Sequence, residues 1–242
     1  MVASLPFTDT GPPVHNRRRQ REPFRHVISI GTNCYTAWLI KTLDLRRAAY
    51  PFDWIFSHPA MVADMLRDRF VRFLDPGEHR RTPHDPADPM PPRCDHLGYR
   101  EAFGVAHVFN HHDVTLAPGL DQFKRAVERF LAVTGGTGKV LLLMINTAAP
   151  VVPEAFGDLS LIVDGLGPRK TLLCLNVGCT GDTLDMGMSD PFQIGRHRLR
   201  TFRSTSEING VAFGNPLDDL VLQLVVSQFN VAIPPGDHHD PT

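Results

Sequence analysis

The residue types best suited to covalent chemistry in this chain are Cys34 and the histidines of His107-Val108-Phe109-Asn110-His111-His112-Asp113. A thiol attacks as its thiolate, and a neighbouring imidazole can take the proton. Cys34 follows Ile30-Gly31-Thr32-Asn33 and opens a stretch with Ala37, Trp38, Ile40 and Leu43 at helical spacing. That order predicts a thiol at a helix N-terminus, where partial positive charge and free N–H groups lower a thiol pKa and hold a developing oxyanion. The Asn33 side chain is expected to add an oxyanion donor, and Gly31 to let a substrate approach the backbone. The bland alternative is a small buried hydrophobe at a tight turn.

The base is sought at His111 and His112. Asp113 adjoins His112, yet neighbours in an extended chain point to opposite sides. Asp53 lies between two aromatic anchors in Pro51-Phe52-Asp53-Trp54. An unpaired carboxylate there would be costly, so it either caps backbone or orients the base. Metal readings for His107, His111 and Asp113, and for His79, His84, Cys94 and His96, lack the spacing of a closed four-ligand site, and no metal is expected. Gly135-Gly136-Thr137-Gly138-Lys139 fails as a phosphate loop: a helix precedes it, a strand follows, and Val140 stands at the Ser/Thr position. There is no Gly-x-Ser-x-Gly elbow, and no cofactor is expected.

The elements that must position these groups alternate. His26–Ile30 reads as a buried strand and Cys34–Leu45 as a helix, followed by helix Pro59–Phe70. Residues 75–96 hold six Pro, three His and almost no aliphatics, which predicts an irregular excursion. Then come a short strand at Ala106–Asn110, a helix at Leu120–Val133, a strand at Lys139–Asn146 and a weak helix at Pro153–Val163. Strand Lys170–Val177, a third or edge strand at Arg198–Ser204 and helix Leu217–Phe229 complete the pattern. Apolar strands alternating with helices predict an α/β three-layer sandwich around a mainly parallel sheet, with α+β papain-like as the alternative. Ligands of such sheets gather at the loops after Ile30, Ile145 and Val177. The expected organisation is a basic leader (1–25), one domain (26–233) with the excursion at 75–97, and a loose tail (234–242).

The 242 residues are 42% hydrophobic and 21% charged, with net charge −1. This excludes a wholly disordered chain, and no basic surplus points to nucleic acid. The longest apolar run, Val140–Ile145, is too short to span a bilayer. Four Cys without paired spacing, and no signal sequence, predict free thiols in the cytoplasm. No oligomeric state is legible.

Ile28-Ser29-Ile30-Gly31-Thr32-Asn33-Cys34, Tyr50-Pro51-Phe52-Asp53-Trp54 and His111-His112-Asp113, with the helix Phe123 to Leu131, resemble the motifs of a bacterial family described as papain-like cysteine peptidases, a domain family of unknown function. The resemblance spans roughly Val27 to Ile145. It implies a Cys34 nucleophile with His112 as base and His111 in reserve, oriented by Asp113 or Asp53. A strand–turn–Cys–helix opening also looks like the first block of flavodoxin-like esterases. The expectation is a cysteine-dependent hydrolase or acyl-transfer enzyme acting on a peptide or acyl substrate. The alternatives are a non-catalytic ligand-binding domain, or an SGNH-like esterase or acyltransferase analogue in glycan modification.

Overall fold

A computed structural model describes residues 22–83 and 92–232. In chain order the first elements are β1 (His26–Ser29), α1 (Cys34–Thr42), α2 (Pro59–Arg67), β2 (His79–Arg81), β3 (Cys94–His96), α3 (Leu97–Phe103) and α4 (Ala117–Gly135). Then follow β4 (Val140–Asn146), α5 (Pro153–Gly165), β5 (Lys170–Cys179), β6 (Gly187–Met188), β7 (Phe192–Ile194), β8 (His197–Ser204), β9 (Ile208–Asn209), β10 (Ala212–Phe213) and α6 (Pro216–Ser227).

The fold is mixed α/β around a six-stranded, mostly parallel sheet. β1, β4, β5 and β8 lie side by side and parallel. β6 and β7 pair antiparallel with two stretches of β8. β4 is buried at every position, which is why its sequence is apolar throughout rather than alternating. Its side chains still divide between two faces. Leu142 and Met144 join a core with Met65 and Leu66 of α2, Phe130 of α4 and Phe156 of α5. Leu141, Leu143 and Ile145 join a second core with Tyr35 and Leu39 of α1 and Leu222 and Val226 of α6. Helices therefore cover both faces.

Local signals set the helix starts. Asn33, His58 and Asn215 accept from backbone N–H groups at the first turns of α1, α2 and α6, and Pro59 and Pro216 occupy first-turn positions. The Gly-rich stretch before β4 is the reverse of a phosphate cradle. Gly136 and Gly138 present carbonyls, 2.6 and 2.8 Å from the buried Lys170 ammonium that donates to them.

Several expectations change. The stretch read as irregular contains an antiparallel pair, β2 with β3, in which His79 faces His96 and Arg81 faces Cys94. The buried histidines of the pair are tolerated because each ring has a backbone carbonyl as partner. His79 Nε2 lies 3.0 Å from the Phe73 carbonyl and His96 Nε2 2.9 Å from that of Arg72. The strand expected at Ala106–Asn110 reduces to one bridge, Phe109 with Cys94. β8 is an interior strand. Phe24, inside the expected leader, is buried and bridges Val231. The rest of the leader (1–21), residues 84–91 with His84, and the tail from 233 lie outside the described residues. Among the described residues no helix is long and apolar enough to cross a membrane.

Candidate active site

Cys34 is placed by the way β1 ends. The ladder to β4 runs past the strand, with Ile30 N–H donating to Leu143 O and Thr32 N–H to Ile145 O. The chain then turns, Asn33 caps α1, and Cys34 is its first residue. Gly31 has a different purpose from the one its type suggests. A Cβ there would fall 1.9 Å from Thr36 Oγ1, so the space is taken by Thr36, not held open for substrate. The Thr36 hydroxyl in turn accepts from Ile145 N–H at 3.3 Å.

His111 arrives from the other side. Paired hydrogen bonds between Phe109 and Cys94, at 3.0 and 3.1 Å, fix the chain against β3. Two residues later, His111 Nε2 lies 3.5 Å from Cys34 Sγ. Asn110 Nδ2 is 3.2 Å from the same nitrogen. The Trp54 ring meets the imidazole edge-on, with centroids 6.3 Å apart. The preferred base of the sequence reading, His112, is elsewhere: its ring packs perpendicular to Phe123 at 5.3 Å. Adjacent side chains diverge, so only one of the two reaches the thiol.

The carboxylates do not hold the imidazole. Asp113 Oδ1 accepts from Thr115 N–H, Thr115 Oγ1 and the Cys94 thiol, and Oδ2 faces Arg81 Nε at 3.4 Å. Burial works upward on its pKa, but these donors hold it below the ordinary carboxylate range. Asp53 is buried and locks its own loop, accepting from Tyr50 N–H at 3.0 Å and pairing with Arg46 at 3.5 Å. Arg46 also lies over the Trp54 ring. Among the described residues, no carboxylate hydrogen-bonds His111; its polar neighbour is Asn110. Sequence reasoning misses Asn110 and Trp54, although Asn110 stands in the segment His107–Asp113 and Trp54 closes the Pro51–Trp54 motif. The Asn33 side chain is engaged at both ends, Oδ1 accepting from Tyr35 N–H and Nδ2 donating to Thr147 Oγ1 at 3.0 Å, which leaves one amide N–H for an oxyanion.

Burial outweighs the helix end in the electrostatics. It pushes the Cys34 thiol up to about 11; the residue's own N–H pulls the other way and the Asp53 charge adds to the rise. The expected acidified thiol is therefore absent at rest. Burial, with Arg93 behind it, pushes His111 below its ordinary value. A neutral thiol faces a neutral imidazole. Among the described residues no group of three or more His, Cys, Asp or Glu could hold a metal ion; the Nε2 atoms of His79 and His96 are occupied by carbonyls.

Comparison with curated proteins and with solved structures gave no match. Residues 25–154, more than half of the chain and including Cys34, Trp54 and His111, match the family described as "Putative papain-like cysteine peptidase (DUF1796)", and the chain belongs to that family.

Proposed function

We propose that the protein is a cysteine-dependent hydrolase or acyl-transfer enzyme in which Cys34 is the nucleophile and His111 the base. The observation that carries this reading is the 3.5 Å approach of Cys34 Sγ to His111 Nε2. Both groups rest neutral, so the proton leaves sulfur for Nε2 as the sulfur attacks a peptide or ester carbonyl, rather than beforehand. The imidazolium then protonates the leaving group, and water or an acceptor resolves the acyl-enzyme. N–H groups at the start of α1 lie nearest the developing oxyanion. Asn110 and Trp54 orient the ring. Asp53 acts through Trp54, by fixing the loop that carries it.

The test is the pH dependence of Cys34 alkylation by iodoacetamide, resolved by peptide mass spectrometry, in wild type, His111→Ala and His112→Ala. A base contributes about 10²-fold or more, so His111→Ala should slow Cys34 near neutral pH by about that factor. His112→Ala should leave the rate within about threefold. If His111→Ala and wild type react alike, with Cys34 titrating near 11 in both, a second reading takes over. In that reading the buried thiol is structural and the sheet edge holds a ligand without chemistry; the burial of Cys34 is the observation that favours it.

A further inference from the structure

Arg93 stands at the joint between β3 and the segment that carries His111. Its carbonyl accepts from the Thr82 N–H at 3.0 Å and from the Thr82 hydroxyl at 2.9 Å, which continues the β2–β3 register. On the other flank the next residue, Cys94, exchanges two hydrogen bonds with Phe109. That antiparallel bridge sets Arg93 opposite Asn110, and residues so opposed share a face. Cys94 and Phe109 take the other face and are buried in the core. The face Arg93 shares with Asn110 is the one with the chemistry: Asn110 Nδ2 is 3.2 Å from His111 Nε2, the nitrogen that approaches Cys34 Sγ.

The charge of Arg93 is unspent. Neighbouring arginines each meet a carboxylate: Arg81 faces Asp113, Arg100 Asp95, Arg72 Asp64 and Arg46 Asp53. The Arg93 guanidinium makes no hydrogen bond or ion pair with another described residue, although Arg93 is partly buried. An unpaired guanidinium that has given up part of its hydration favours an incoming anion. The nearby acids do not supply one, since Asp53 is tied to Arg46 and Asp113 to Arg81. The charge also acts on the base: burial first, and then Arg93, hold His111 below its ordinary value. A cation there opposes the imidazolium that the reaction forms, until an anion offsets it.

We propose that Arg93 is the specificity-determining residue of the Cys34 site and binds a carboxylate on the substrate, next to the carbonyl that sulfur attacks. The inference rests on Cys34 being the nucleophile and His111 its base. A carboxylate fits the guanidinium fork with two parallel hydrogen bonds, and its single charge balances a single cation. A phosphate dianion would leave surplus negative charge against the ionising sulfur. The bound carboxylate offsets the charge that opposes His111, so a substrate without one meets a weaker base.

The test compares iodoacetate with iodoacetamide, which carry a carboxylate or an amide on the carbon attacked. In both, Cys34 sulfur bonds to the methylene carbon, iodide leaves with the electron pair of the C–I bond, and the thiol proton passes to His111. The Cys34 peptide is followed by mass spectrometry. Its iodoacetate-to-iodoacetamide rate ratio should be about tenfold higher in wild type than in Arg93→Gln. Arg93→Lys, which keeps the charge, should retain part of the preference. The exposed Cys179 is read in the same samples, and its ratio should not change. Raising the salt concentration should lower the Cys34 ratio in wild type, a result that requires no variant to fold. A Cys34 ratio equal in wild type and Arg93→Gln, or a wild-type ratio indifferent to salt, overturns the assignment. If iodoacetamide modifies Cys34 in a His111-dependent way while the ratio stays unchanged, only the role of Arg93 falls. If neither reagent modifies Cys34, the nucleophile reading falls with it.

Discussion

The Trp54 ring stands at 90° to the His111 ring, centroids 6.3 Å apart, and nothing in the chain connects them except folding. The Pro51–Trp54 motif makes the contact by dividing the work. Phe52 is fully buried against Phe70 and Phe130, Asp53 ties Arg46 and the Tyr50 N–H, and Trp54 is left facing the imidazole.

Trp54 is therefore a positioning residue. An edge contact of this kind is worth about 0.5–1.5 kcal/mol. Trp54→Ala should slow Cys34 alkylation near neutral pH about three- to tenfold. It should also raise the apparent pKa of the His111 limb, because burial is what depresses it. Trp54→Phe should recover most of the rate. A rate that falls with no movement of the His111 limb would mean the residue serves stability alone.

Gly31 and Thr36 should behave as a unit. The Cβ of Gly31→Ala would meet Thr36 Oγ1 at 1.9 Å and its Cβ at 2.6 Å, in a fully buried place. Overpacking of this kind costs about 1–3 kcal/mol. Urea unfolding should show Gly31→Ala destabilised by at least that amount. In the Gly31→Ala/Thr36→Ala double variant the loss should fall short of the sum of the single effects, since the 1.9 Å contact with Oγ1 is removed and only the Cβ contact at 2.6 Å still has to give way. Additive effects would show that the turn relaxes and that Thr36 is not the reason for glycine.

Much of the frame is legible because its signals are local. Val140–Asn146 and the stretch Lys170–Asn176 of β5 are buried and read as mainly apolar runs, and Asn33 announces the helix that Cys34 begins. The histidine assignment is not local. His111 and His112 are indistinguishable by type, and the Phe109–Cys94 bridge decides which one faces sulfur. β2 and β3 hide for a related reason: their residues are polar, and what makes them a pair is the register of His79 with His96, seventeen residues on, with each ring held by a carbonyl of the Arg72–Phe73 turn. The thiol pKa escapes as well: a helix end can be read from Asn33, but the burial that overrides it comes from residues far along the chain.

Asp113 is predicted to matter to the turn before α4 and not to the chemistry. Its hydrogen bonds go to Thr115 and Cys94. Loss of a capping carboxylate costs about 0.5–2 kcal/mol, so Asp113→Ala should lower stability by that order. Its depressed pKa makes the contribution present above the unfolded value, about 3.9, and lost as pH falls through the lower folded one. The pH profile of Cys34 alkylation should match wild type. A shifted profile would return Asp113 to the role of orienting the imidazole.

Asp53 should show the opposite sign. Burial first, opposed by the Tyr50 N–H and Arg46, leaves its pKa raised to about 6. The unfolded value is near 3.9. A raised folded pKa means the protonated acid is favoured by folding. The contribution is complete below the unfolded value and is lost as pH rises through about 6. Two pKa units correspond to about 3 kcal/mol. Wild type should therefore lose stability relative to Asp53→Asn, which keeps an acceptor for Tyr50, by up to that amount between pH about 4 and about 6, with no further change above. Urea midpoints for both proteins across that range provide the measurement. Parallel curves would mean that Arg46 compensates the buried charge fully. In that case Asp53 would stay ionised throughout, and its charge would keep opposing ionisation of Cys34 even in mildly acidic solution.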